Sequence, residues 1–161
     1  KDFLDRISIP LEQIHPMPGE DPPEDGATLY TRELQKVFQL EEGNFPVFDL
    51  IVLGVGKDGH TASLFPGHGA LKERERWVVA VKGGVPNVNR LTMSYPVLNH
   101  ARQTVFLASG KEKAEILKTL LENTKAQLPA QNVQPINGKL TWLLDRDAAS
   151  LLSGEMTREA S

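Results

Sequence analysis

Apolar and polar positions recur along the chain in two rhythms. Residues 24–41 carry Leu29, Leu34, Val37, Phe38 and Leu40 among polar neighbours at roughly helical spacing, with acids clustered at the front. This pattern predicts a helix whose N-terminal dipole the acids favour. KEKAEILKTLLEN at 111–123 shows the rhythm more strongly, placing Ala114, Ile116, Leu117, Leu120 and Leu121 on one broad apolar face. VFDLIVLG at 47–54 is different, a short continuous apolar run stopped by glycine. It predicts a strand buried on both faces, as in a parallel sheet under helices. RWVVAV, RLTMS, QTVFLAS and KLTWLL, beginning at residues 76, 90, 103 and 139, are four further strand candidates. HPMPGEDPPEDGA packs four prolines and four acids into residues 15–27 and reads as a surface loop. The opening KDFLDRISIP reads as the end of a helix, and the closing SGEMTREAS is polar and expected to fray. No repeat or low-complexity tract interrupts the pattern.

Strands alternating with helices and glycine turns predict an open α/β fold. Ligands of such sheets bind where strands end and the chain turns into helices, which here means residues 54–60 and 109–113. With 161 residues the chain is the size of one domain; we expect it to span 1–153, with 154–161 a flexible tail. A composition 40% hydrophobic and 24% charged is that of an ordinary soluble protein. No apolar run is long enough to span a membrane, and no charged-then-apolar segment opens the chain. The formal charge is −3 with scattered basic residues, which argues against a nucleic-acid surface. An anion site must therefore be a local cationic pocket. The absence of cysteine removes disulfides, thiolate metal sites and thiol nucleophiles, and fits a reducing compartment.

LGVGKDGHTASLFPG at 53–67 contains Gly54-x-Gly56-x-x-Gly59, the spacing of a dinucleotide loop. The surroundings disagree with that use. Pro66-Gly67 leaves at most a short helix after the loop, no acid ends the following strand to hold a ribose, and Asp58 would repel a diphosphate. The absence of G-K-[ST] excludes a phosphate-loop ATPase. Asp58 and His60 offer another chemistry: a histidine as general base, with a carboxylate fixing its tautomer. The competing reading has Asp58 capping a turn and His60 as a hydrogen-bonded structural residue. Ser63 lacks a nucleophile elbow, and His60 with His68 lacks the spacing and acidic partner of a zinc site. His15 and His100 carry no motif.

FDLIVLGVGKDGHTASLFPG resembles the signature of the 6-phosphogluconolactonase family, and the likeness continues through RLTMSYPVLNHAR, VFLASGKEKAEIL and GKLTWLLDRDAAS. The resemblance implies a Rossmann-like, mostly parallel sheet flanked by helices, of the type shared by 6-phosphogluconolactonases and amino-sugar-phosphate isomerases. It implies a cytoplasmic pentose-phosphate-pathway enzyme that hydrolyses 6-phosphoglucono-δ-lactone without metal or organic cofactor. His60 would be the catalytic base with Asp58 beside it, and Arg90 and Lys113 would hold the sugar phosphate. The fork of Arg90 and a helix start at Lys113 suit a phosphate, and the turn bearing Gly54, Gly56 and Gly59 could supply oxyanion donors. The isomerases carry a glutamate five residues after the histidine, where this chain has Phe65, which favours hydrolysis. Sugar-phosphate-sensing domains of the same fold are the non-catalytic alternative. Lys57 stands where the family commonly has a small residue or proline. The family's preceding βα portion, with a phosphate loop and an Asp-Glu-Arg segment, has no counterpart here, so that part of the fold is expected to be missing.

Overall fold

The computed structural model describes residues 4–41 and 43–154. The expected tail lies outside these residues except for Gly154, and so do the first three residues of the opening segment. Leu4–Arg6 form a single 3₁₀ turn.

All five anticipated strands form: β1 (Ile51–Leu53), β2 (Val78–Gly83), β3 (Val88–Met93), β4 (Gln103–Ala108) and β5 (Lys139–Leu144). The helices are α1 (Pro23–Phe38), α2 (Tyr95–Asn99) and α3 (Ala114–Glu122). β1, β4 and β5 make the parallel sheet in that order, while β2 and β3 pair antiparallel as a separate hairpin.

Strand order and chain order agree in the parallel sheet, so both crossovers step the same way. Right-handed crossovers then send every connection over one face. That face buries Ile51, Leu53, Phe106 and Ala108 with Leu117 and Leu120 of α3. Phe106 stacks on Trp142 of β5 at 4.1 Å between ring centroids. Among the described residues the opposite face is largely uncovered, leaving Val52 58%, Leu107 57% and Leu143 47% exposed, although Val105 beside Val52 is buried. The expectation that 47–54 is buried on both faces is therefore corrected: β1 alternates buried, exposed, buried.

α1 starts earlier than the proline-rich composition suggests, because proline is accommodated at the first helical position, where an N–H would go unpaired. Pro23 opens the helix, Glu24 and Asp25 fill its first turn, and Gln39 ends it in the left-handed region at φ 53°. The surface loop thus stops at Pro22. Ala27, Tyr30 and Leu34 form the buried face, packed against Trp77 and Val78 of the hairpin. Leu29 and Val37, expected on the apolar face, are exposed. Small residues set the approach: a Cβ at Gly26 would come 2.9 Å from the Pro18 carbonyl oxygen. α3 follows its expected face, burying Ala114, Leu117 and Leu120, although residues 111–113 are a 3₁₀ turn rather than α-helix. No helix among the described residues is long and apolar enough to cross a membrane.

Candidate active site

The segment after β1 does not enter a helix. Gly59 and Ala62 take positive φ (79° and 49°), and Thr61 bridges to Leu64, so the chain coils before a 3₁₀ turn at Gly69–Lys72. The expected strand-to-helix turn at 54–60 is corrected to a strand-to-coil turn; only 109–113 leads into a helix. β1 and β4 are parallel, so both turns lie on the carboxyl edge of the sheet.

Inside the first turn, the Gly56 N–H donates to the His60 carbonyl at 2.8 Å and the Gly59 N–H to the Gly56 carbonyl at 3.0 Å. The Thr61 hydroxyl donates to the Gly54 carbonyl at 2.8 Å. This lacing brings His60 Nδ1 to 2.5 Å from Asp58 Oδ1, which also accepts the His60 backbone N–H at 3.2 Å. Partial burial pushes the Asp58 carboxyl up, but the hydrogen bonds from the His60 ring and backbone outweigh it and hold the group below the usual carboxylate range. An ionised carboxylate only accepts, so Nδ1 carries the shared proton and Nε2 is left as the basic atom.

Two of the three glycines are required by the geometry. A Cβ at Gly56 would lie 2.7 Å from Asp58 Oδ1 and collide with His60 Nδ1, so only glycine leaves room for the pair. Gly59 combines its positive φ with Leu128 packed 2.9 Å from the position of a Cβ. Gly54 faces open space. The imidazole and carboxylate thus both pack against the Cα of Gly56.

The two cationic candidates are held by different carbonyls. Lys113, at the start of α3, donates from Nζ to the Val55 carbonyl at 2.9 Å, bringing its ammonium to the turn after β1. Arg90, on β3, donates from Nε to the Gly83 carbonyl at 3.1 Å. Its guanidinium and the Phe65 ring both flank Gly84, and Phe65 packs on His60 with centroids 4.7 Å apart. Lys57 is exposed.

Two contributors were not legible as such in the sequence. Phe65 is informative there only as the absence of an acid; its contact with His60 is tertiary. Asp145, just after β5, accepts the Gly110 N–H at 3.0 Å and the Ala148 N–H at 2.7 Å, and so holds the turn that carries Lys113. An aspartate directly after a strand is the signal that could have pointed to it. The other histidines have structural partners: His15 meets Glu33 at 2.7 Å, His68 accepts the Ala70 N–H at 3.1 Å, and His100 Nδ1 meets the Pro96 carbonyl at 2.6 Å. Among the described residues no cluster of three or more metal-ligating side chains forms. A cleft of about 740 Å³ between α1 and the segment before β2 includes Arg32, Arg74 and Arg76 but not Asp58, His60, Arg90 or Lys113. Arg76 there is already paired with Glu73 at 2.7 Å.

The model of the family described as glucosamine-6-phosphate isomerases/6-phosphogluconolactonase matches residues 1–142. The chain is 47% identical over 153 residues to 6-phosphogluconolactonase of Rattus norvegicus, covering 94% of this chain and 58% of the relative. It is 46% identical to that of Synechocystis, covering 93% and 62%. The crystal structure of the devB protein superposes with a TM-score of 0.84 at 34% identity, covering 93% of this chain and 63% of that one. The chain thus spans about three fifths of the length of these relatives. With the matching model extending over most of its length, the chain belongs to the glucosamine-6-phosphate isomerase/6-phosphogluconolactonase family.

Proposed function

We propose that this chain carries the catalytic edge of a 6-phosphogluconolactonase, hydrolysing 6-phosphoglucono-δ-lactone to 6-phosphogluconate in the cytoplasmic pentose phosphate pathway. The observation that carries the reading is the Asp58–His60 pair at 2.5 Å with Phe65, not an acid, against the imidazole. Ring opening and isomerisation of an amino sugar need a further proton carrier; hydrolysis needs one base and one water.

In the proposed reaction, His60 Nε2 removes a proton from water as the oxygen attacks C1 of the lactone. Asp58 stabilises the imidazolium that results. The tetrahedral intermediate collapses by breaking the bond from C1 to the ring oxygen, and His60 returns the proton to that oxygen. Arg90 and Lys113 hold the 6-phosphate, Arg90 through the nitrogens not committed to Gly83 and Lys113 through the N–H groups not committed to Val55. Free N–H groups of the glycine turn are the candidates for oxyanion donors; those of Gly56 and Gly59 are already bonded.

The test is to supply freshly generated 6-phosphoglucono-δ-lactone and glucosamine 6-phosphate separately to the intact protein. Hydrolysis of the lactone above its spontaneous rate, with no release of ammonia from the amino sugar, is expected. Deamination without lactone hydrolysis would reverse the assignment, and binding of both without turnover would make this a sensing domain.

A further inference from the structure

The β2–β3 hairpin ends in Gly83-Gly84, and two features of the site lean on this turn. The Gly83 carbonyl accepts Arg90 Nε at 3.1 Å. The Phe65 ring lies across the Cα face of the same residue: a Cβ at Gly83 would sit 2.7 Å from Phe65 Cδ2 and 3.0 Å from Cε2. At Gly84 a Cβ would lie 3.0 Å from Arg90 Nη2 and 3.1 Å from Phe65 Cζ. Phe65 also packs against the main core cluster and meets the His60 imidazole at 49° between ring planes. The ring is therefore wedged between a hairpin backbone and the histidine.

We propose that Gly83 and Phe65 are positioning residues that tie the base and the anion-holding arginine to one turn. Asp58 fixes one edge of the imidazole and its tautomer, but a single hydrogen bond leaves the ring free to swing about that contact. Phe65 limits that swing, and Phe65 can lie where it does only because residue 83 has no side chain. Gly83 also sets Arg90 through its carbonyl, so the separation between the site of proton transfer and the site of phosphate binding is fixed by the hairpin rather than by the loop bearing His60. The proposal rests on the reading of His60 as base and Arg90 as phosphate ligand, and its test separates the two.

Gly83 has no positive φ, so Gly83→Ala is a steric probe without backbone strain. Phe65→Leu removes the ring while keeping an apolar side chain. The intact protein is prepared as Gly83→Ala, Phe65→Leu and the double variant. The His60 ring-proton resonance is followed by NMR across a pH titration, and kcat and KM are measured with the lactone. Each single variant should displace the His60 resonance and lower kcat about ten- to hundred-fold, the scale expected when a reacting group is misplaced. The double variant should lose no more than the worse single one, because the collision at position 83 disappears with the ring.

An unmoved His60 resonance in a folded Gly83→Ala protein, or losses in kcat that multiply in the double variant, would overturn the proposal. If Gly83→Ala does not fold, Phe65→Leu decides it through turnover: a lowered kcat with KM little changed upholds the proposal, and an unchanged kcat overturns it. Displaced resonances in a protein that hydrolyses no lactone would uphold the positioning role and reject the lactonase reading instead.

Discussion

At the scale of single residues, the site depends on what is absent as much as on what is present. Gly56 provides the space in which His60 meets Asp58, so Gly56→Ala should break that pair. We expect kcat for lactone hydrolysis to fall about 10²-fold while the thermal midpoint moves little, both read on the same sample. Retention of full turnover would show that the Asp58–His60 contact is not required. This part of the site was legible in the sequence because its members lie within five residues of one another, and local spacing brings them together. Arg90 was named from the family resemblance, but its meeting with Gly83 and Phe65 was not legible, since it depends on a hairpin folding back onto the loop. Gly54 was grouped with the other glycines by spacing alone, yet it faces open space and needs no glycine for steric reasons.

At the scale of elements, strand positions followed the apolar runs closely, but pairing did not follow from them. β2 and β3 have the same kind of sequence as the sheet strands; the short connection between them makes an antiparallel hairpin the accessible partner. The apolar face of α1 was misplaced because Ala27 and Tyr30, small and amphipathic, outcompete Leu29 and Val37 for the hairpin surface. Asp145→Ala removes the acceptor for the Gly110 and Ala148 N–H groups, and should cost about 1 kcal/mol in denaturant unfolding, the usual value of such a cap. An unchanged midpoint would mean that water replaces the carboxylate without loss. Glu73 accepts three successive backbone N–H groups and Arg76 Nε. Burial raises its carboxyl, but these bonds outweigh burial and bring it to about 2 from an ordinary 4.5. A carboxylate lowered on folding stabilises above its unfolded value and loses that stabilisation as pH falls through the folded one. Glu73→Gln should therefore lower the thermal midpoint most above pH 4.5, with the gap to the unmodified protein closing towards pH 2. A gap independent of pH would contradict this role for the charge.

At the scale of the whole chain, the parallel sheet of the described residues has one covered face and one largely uncovered face. Alternation along β1, β4 and β5 puts Val52, Leu107 and Leu143 together on the open side. An apolar patch of this kind favours association. Residues 1–161 carrying Val52→Thr and Leu107→Thr should bind less of a hydrophobic dye and self-associate less than the unmodified chain, as read by fluorescence and sedimentation. Equal behaviour would mean the patch is covered in solution. The α/β class was readable from the order of elements, but the one-sidedness was not, because it follows from the direction in which successive strands are added. The central claim remains that this sheet edge presents a base to water at a sugar lactone. Its most direct test is the turnover of 6-phosphoglucono-δ-lactone by the intact protein and its His60→Ala variant, corrected for spontaneous hydrolysis. Loss of a general base predicts a fall in kcat of about 10²–10⁴ with little change in KM; near-normal turnover by His60→Ala would contradict the account.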